Sequence, residues 1–195
     1  MAKKTIITAA VTGAWPKKEN NPNVPMTPEE IADDVYACWK AGAAIAHLHM
    51  RDDEGNGTMD HEKFRKTVEL IHSRYPDCDI ILNLTTSGDI YATDETRMLH
   101  VKELKPEMAS YDCGSMNWLN FGLFINSPKF LEECARVFDE CGTKPEIEAF
   151  DPGMFLPSGA FSGLPQVAGY ILSNGLIDGI ATAFLLEHVI LRKAK

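Results

Sequence analysis

No stretch of this 195-residue chain reaches the ~20 consecutive apolar residues that a membrane helix requires. A basic patch is missing as well. The 19 Lys and Arg against 28 Asp and Glu leave a formal charge of −9 and a pI near 5.1, so neither nucleic acid nor an anionic membrane surface is an expected partner. The five cysteines, Cys38, Cys78, Cys113, Cys134 and Cys141, form no CxxC pair and are odd in number, which favours free thiols in a reducing cytosol over a disulfide framework. Met1 to Lys4 is basic, but the apolar run Thr5 to Ala10 is too short for an export signal; a cytoplasmic location is expected. The Gly-rich GxGxxG turn of a dinucleotide-binding sheet is also absent after the first apolar segment.

What the chain does contain is ordinary for one globular domain over 1–195, with 45% hydrophobic and 24% charged residues. Thr5 to Val11 reads as a first buried strand, followed by a long Pro- and Asn-rich loop over residues 16–28. Thr27-Pro28-Glu29-Glu30 is a capping box with Pro at the first helical position, and the helix runs to about Lys40 with Ile31, Val35 and Cys38 or Trp39 inward. Gly42 ends it before the strand that carries His47. Asp60 caps a helix over residues 61–75 with Phe64, Val68 and Ile71 inward; Asp79 to Thr86 is a strand; Asp94 caps a short helix. Met108 to Cys113, a helix opened by Ser127-Pro128, and Lys144 to Phe150 complete the alternation. Strand following helix in this way calls for a parallel sheet with right-handed crossovers. At this spacing a (β/α)8 barrel of the TIM type is preferred to an open sheet, although periodicity alone does not separate them. Five units are clear, and an eight-unit barrel takes about 250 residues, so the barrel is expected to be incomplete at its C-terminal end.

The segment Ala43-Ala44-Ile45-Ala46-His47-Leu48-His49-Met50-Arg51-Asp52 carries the chemistry. Alternation puts His47 and His49 on one face of a strand, at its carboxyl end where α/β active sites collect. Two imidazoles there are half of a transition-metal site, with Zn²⁺ the natural occupant; a pair of core histidines bonded to backbone is the competing account. Glu146 and Glu148, two apart on the fifth strand, also share a face. Burying both without a cation costs several kcal/mol per ion, so a metal or cationic group is implied unless the strand is a solvated edge.

Several separate words, in order, resemble the β-keto acid cleavage enzyme family, whose described member is a 3-keto-5-aminohexanoate cleavage enzyme. They are Ala10-Val11-Thr12-Gly13-Ala14, residues 21–32, Ala41-Gly42-Ala43 through Asp52, Asn83-Leu84-Thr85-Thr86-Ser87-Gly88, residues 105–117, and Lys144 to Asp151. The resemblance implies a TIM barrel with Zn²⁺ on His47 and His49, condensing a β-keto acid with acetyl-CoA to give acetoacetate and a new acyl-CoA. It places Thr85, Ser115, Glu146 and Glu148 among catalytic residues. Trp15, Thr86, Ser87, Gly88 and Asn117 fall to substrate binding. Trp15 stands where the amino-substrate member has an acidic residue, so the resemblance points to a neutral or anionic keto acid. The family's late Glu-Asp pair and the Arg before it have no counterpart, and Glu187 lacks the adjacent Asp. Another metal-dependent barrel enzyme, a hydrolase or class II aldolase, and a non-catalytic remnant are the competing readings. The open sheet edges of a partial barrel would favour a homo-oligomer.

Overall fold

The structure is a computed structural model that describes residues 5–118, 122–150 and 154. Its centre is a parallel sheet of β1 (Thr8–Ala10), β2 (Ile45–Leu48), β5 (Ile81–Leu84), β6 (Met108–Asp112) and β9 (Lys144–Glu148), joined in that spatial order. Spatial order equals chain order, and every pairing is parallel. A doubly wound sheet reverses direction at a switch point. This one never does, so each crossover adds the next strand on the same side, as in a (β/α)8 barrel, and the described residues contain five of its eight strands.

Four helices make the crossovers: α1 (Pro28–Lys40), α2 (His61–Arg74), α3 (Asp94–Leu104) and α4 (Pro128–Cys141), each packed on the next. Their starts follow from side-chain oxygens that satisfy orphan backbone donors. Thr27 and Glu30 form the expected capping box, Asp60 accepts from Glu62 N, and Ser127 accepts from Phe130 N. The third cap is Thr93, not the expected Asp94, which is the first helical residue and lies where a carboxylate favours the positive end of the helix. Ile31, Val35, Phe64 and Ile71 build one buried cluster under β2 and β5. Met98, Val101, Phe130 and Val137 build a second against Ala109.

Two sequence expectations change. The first strand is not buried over 5–11: only Thr8–Ala10 joins the ladder, and Ile6 is 72% exposed, because β1 has a neighbour on one side only among the described residues. The polar segment after the histidines is not a free loop either. β3 (Met50–Arg51) pairs antiparallel with β4 (Gly57–Thr58), and Arg51, 1% exposed, donates to Gly55 O, Pro16 O and Thr12 O. A second small ribbon, β7 (Met116–Asn117) with β8 (Leu123–Phe124), stands over the end of β6. The irregular loop and closing elements expected after Asp151 lie outside the described residues, Met154 apart.

Candidate active site

The carboxyl ends of β2, β5, β6 and β9 bring polar side chains to one place because register and alternation agree. His47 is paired with Asn83, and Asp112 with Glu148. The His47 side chain is 12% exposed, and its Nδ1 faces Glu146 Oε2 at 2.7 Å across the two intervening strands. Asn83 Nδ2 donates to the same carboxylate oxygen and lies 3.1 Å from His47 Nδ1. A carboxylate on Nδ1 holds the ring in the tautomer whose Nε2 carries a lone pair. That Nε2 is 3.1 Å from His49 Nε2. Two nitrogens at about 2.0–2.1 Å from a tetrahedral Zn²⁺ stand about 3.3 Å apart, so the two imidazoles are already spaced as a chelating pair. Burial, with His47 and then Arg51 nearby, pushes the pKa of His49 down to about 3; its ring is neutral, as a ligand must be.

The carboxylates respond in the opposite sense. Burial, then the neighbouring Asp112 and Glu146, pushes Glu148 up to about 7. Burial also raises Asp112 above the usual carboxylate range. Glu148 Oε1, Asp112 Oδ2 and His49 Nδ1 are buried with no hydrogen-bond partner among the described residues. His47, Glu146 and Glu148 bring ligand-capable atoms within 4.8 Å of one another. Unpartnered acceptors and two imidazole nitrogens turned to one point are a donor set that fits a divalent cation.

A cleft of about 230 Å³ opens from this point. Its polar side is His49, Ser87, Asp112 and Glu148; its apolar side is Trp15, Ile90, Trp118, Phe124 and Phe150. A groove of about 430 Å³ shares Ala14, Trp15, Ser87 and Ile90 with the cleft and runs outward past Asn56, Gly88 and Tyr91. The two glycines on this path are forced. A Cβ on Gly57 would sit 2.1 Å from Gly88 O, so the β3–β4 ribbon and the β5–α3 loop touch backbone to backbone beside Ser87. A larger hollow of about 660 Å³ lies against α2 and is lined by none of the candidate catalytic, substrate or metal residues; ion pairs cross it, as in Lys63 with Asp53 and Lys66 with Glu29.

Of the residues proposed from sequence, His47, His49, Glu146 and Glu148 converge, while Trp15, Ser87 and Gly88 line the cleft or its groove. Thr85 and Thr86 are buried behind it. The Thr85 hydroxyl meets Ser87 Oγ at 3.1 Å, and Thr86 bonds through N and Oγ1 to Ser110. Ser115 Oγ accepts from Asn126 N, and Asn117 lies in the β7–β8 ribbon; neither borders the cleft. Sequence reasoning did not select Asn83, Asp112, Trp118 or Arg97. Asn83 had a signal, being the one polar residue in Ile81-Leu82-Asn83-Leu84. Arg97 had none, since it acts by reaching from α3 under two loops. Burial, then Asp112 and Glu148, raises the Cys113 thiol above its ordinary pKa, which disfavours the thiolate a nucleophile needs.

Residues 4–162 match the sequence profile of the beta-keto acid cleavage enzymes. The chain belongs to this family. It is 46% identical over 154 residues to a 3-keto-5-aminohexanoate cleavage enzyme of Fusobacterium nucleatum, covering 79% of this chain and 56% of that protein. Identity is 37% to a 3-dehydrocarnitine:acetyl-CoA trimethylamine transferase of Rhizobium meliloti, covering 78% and 57%. Among solved structures, a ternary complex of ObcA with a C4-CoA adduct and oxalate superposes with a TM-score of 0.61 at 29% identity, over 68% of this chain and 32% of that one. The chain thus spans a little over half the length of these curated relatives. Its convergent histidines and glutamates fall inside the matched region of the β-keto acid cleavage enzyme profile.

Proposed function

We propose that this chain carries the metal-binding half of a zinc-dependent β-keto acid cleavage site, in which a β-keto acid and acetyl-CoA give acetoacetate and a new acyl-CoA. The observation that carries the reading is the His47 Nε2 to His49 Nε2 separation of 3.1 Å with the Glu146 carboxylate on His47 Nδ1. His47 and His49 would hold the Zn²⁺, with water or a carboxylate completing the shell. When bound, the metal supplies Lewis-acid polarisation of the keto oxygen. Glu146 fixes the His47 tautomer. Glu148 and Asp112 border the cleft, each with an oxygen that has no hydrogen-bond partner among the described residues, and would take and return a proton beside the reacting carbons. Ser87 offers a hydroxyl at the junction of cleft and groove. The relatives' names supply the substrates, a β-keto acid and acetyl-CoA, and the groove is the wider path to the same point.

Metal analysis of the purified, untagged chain tests the site: near one zinc per chain is expected, lost in His47→Ala with His49→Ala. Unchanged zinc in that double variant would place the metal elsewhere. Product analysis with acetyl-CoA and a panel of β-keto acids tests the reaction, and hydrolysis independent of CoA would favour a metal-dependent hydrolase. The same reading includes a homo-oligomer in a reducing cytosol, supported by exposed Ile7 just before β1, by exposed Ile147 on β9, and by five free thiols. No helix among the described residues is long and apolar enough to cross a membrane.

A further inference from the structure

Asn83 is the polar exception in β5, a strand whose other buried residues, Leu82 and Leu84, are apolar. Its amide is matched at one end only. Nδ2 donates to Glu146 Oε2, while Oδ1 is buried with no hydrogen-bond partner among the described residues. Turning the amide over would not help, because it would set Oδ1 against the carboxylate, acceptor against acceptor. A leucine has the same number of heavy atoms and no pole to leave unmatched, so packing alone does not account for an asparagine here.

The group that the amide reaches does account for it. Glu146 extends from β9 past β6 and β5 to bring Oε2 within 2.7 Å of His47 Nδ1, and its side chain is 26% exposed. Holding so long a side chain in one rotamer costs entropy, and a second bond to the carboxylate offsets it. Asn83 is placed to supply that bond. It is the ladder partner of His47 on the adjacent strand, and its Nδ2 lies 3.1 Å from His47 Nδ1, so the amide and the ring converge on one oxygen. An ammonium or guanidinium in its place would set a positive charge beside the metal, whereas an amide donates and stays neutral.

We infer that Asn83 is a positioning residue for the metal site: it holds the Glu146 carboxylate on His47 Nδ1 and, through it, the tautomer and orientation in which His47 presents Nε2 to the metal. The inference rests on the reading of His47 and His49 as zinc ligands and adds the residue that keeps the first of them oriented.

A double-mutant cycle on zinc affinity tests it in the full chain, with Asn83→Leu, Glu146→Ala and the two combined, each read by competition with a chromogenic chelator. Asn83→Leu is expected to weaken zinc binding about tenfold and Glu146→Ala about 10–100-fold. Because Asn83 acts through Glu146, the combined variant should bind zinc within about threefold of Glu146→Ala alone. Asn83→Ala, which adds no bulk, should match Asn83→Leu. Long-range nitrogen NMR of the metal-free chain at mildly alkaline pH reads the ring directly. His47 should be the Nδ1–H tautomer in the wild type and a mixture of tautomers in both Asn83 variants, a change that lost packing elsewhere would not produce. Zinc affinity within about threefold of wild type in both Asn83 variants, or losses that multiply in the combined variant, overturns the inference and leaves the zinc reading in place. A His47 ring in the Nε2–H form in the wild type overturns it without any variant. A wild-type chain with no affinity for zinc overturns the zinc reading instead, and the tautomer in the Asn83 variants then supports or overturns the hold of Asn83 on His47 by itself.

Discussion

Glu146 lies on the far side of the His47 ring from His49, and its carboxylate shares one oxygen between that ring and Asn83. Its part in the site is therefore to orient a ligand. Glu146→Gln removes the charge with little change of shape, and zinc affinity should fall about 10–100-fold with the folded structure kept; competition with a chromogenic chelator measures it. An unaltered affinity would return Glu146 to the reacting atoms. A second buried histidine has no part in the chemistry. His100 stacks on Phe64 at 4.1 Å, and burial pushes its pKa down to about 3. The unfolded ring takes up a proton below about pH 6.5 whereas the folded one does not. Its contribution is thus complete above pH 6.5 and is lost as pH falls from there toward 3, by about 1.4 kcal/mol per pH unit. His100→Phe should flatten the stability profile between pH 4 and 6.5 by about one proton, read from denaturant midpoints. The His-Leu-His spacing was legible in the sequence because strand alternation is a local rule. Asn83 and Asp112 were not, because their roles come from pairing across strands.

Arg97 shows how an element far from the chemistry shapes the cleft. From the first turns of α3 it donates to Thr86 O at 2.7 Å, Ile125 O at 3.1 Å and Asn126 Oδ1 at 2.7 Å, with its guanidinium 4.0 Å over the Phe130 ring. Asn126 continues the chain of bonds to Gly114 O and Ser115 Oγ. One buried fork thus fixes the loops after β5 and β6, and with them Ser87 and Phe124. Arg97→Met should cost about 2–4 kcal/mol, since it leaves buried acceptors unmatched. Arg97→Lys should recover little, because an ammonium cannot reproduce the planar set of donors. Chemical denaturation checks both; full rescue by lysine would mean that charge alone matters. The helices were legible almost to the residue because caps are written in neighbouring side chains. The β3–β4 ribbon was not, since it is held by Arg51 bonds to residues more than thirty positions away.

At the scale of the molecule, the sheet has two outer strands, β1 and β9, whose far edges carry no partner among the described residues. Ile147 on β9 is 58% exposed, and unpaired edges with apolar side chains favour association. Ile147→Lys is expected to lower the apparent mass in sizing with light scattering while moving the melting midpoint little. An unchanged mass would take β9 out of any contact between copies.

Local rules determined the alternation of strands and helices, three of the four helix caps, the shared face of His47 and His49, and the placing of the chemistry at strand ends. Each depends on residues within about one turn or one strand of one another. The words of the sequence also determined the family, since they are short, separate and in order. Only the tertiary structure decided between barrel and open sheet, because strand order is a long-range property that periodicity does not encode. The same holds for Glu146 on His47, for the Trp15–Trp118 stack and for the Asp112 Oδ2 left without a hydrogen-bond partner among the described residues. Each joins residues 65 or more positions apart, or turns on which neighbours a buried group lacks, and such facts exist only once the chain is folded.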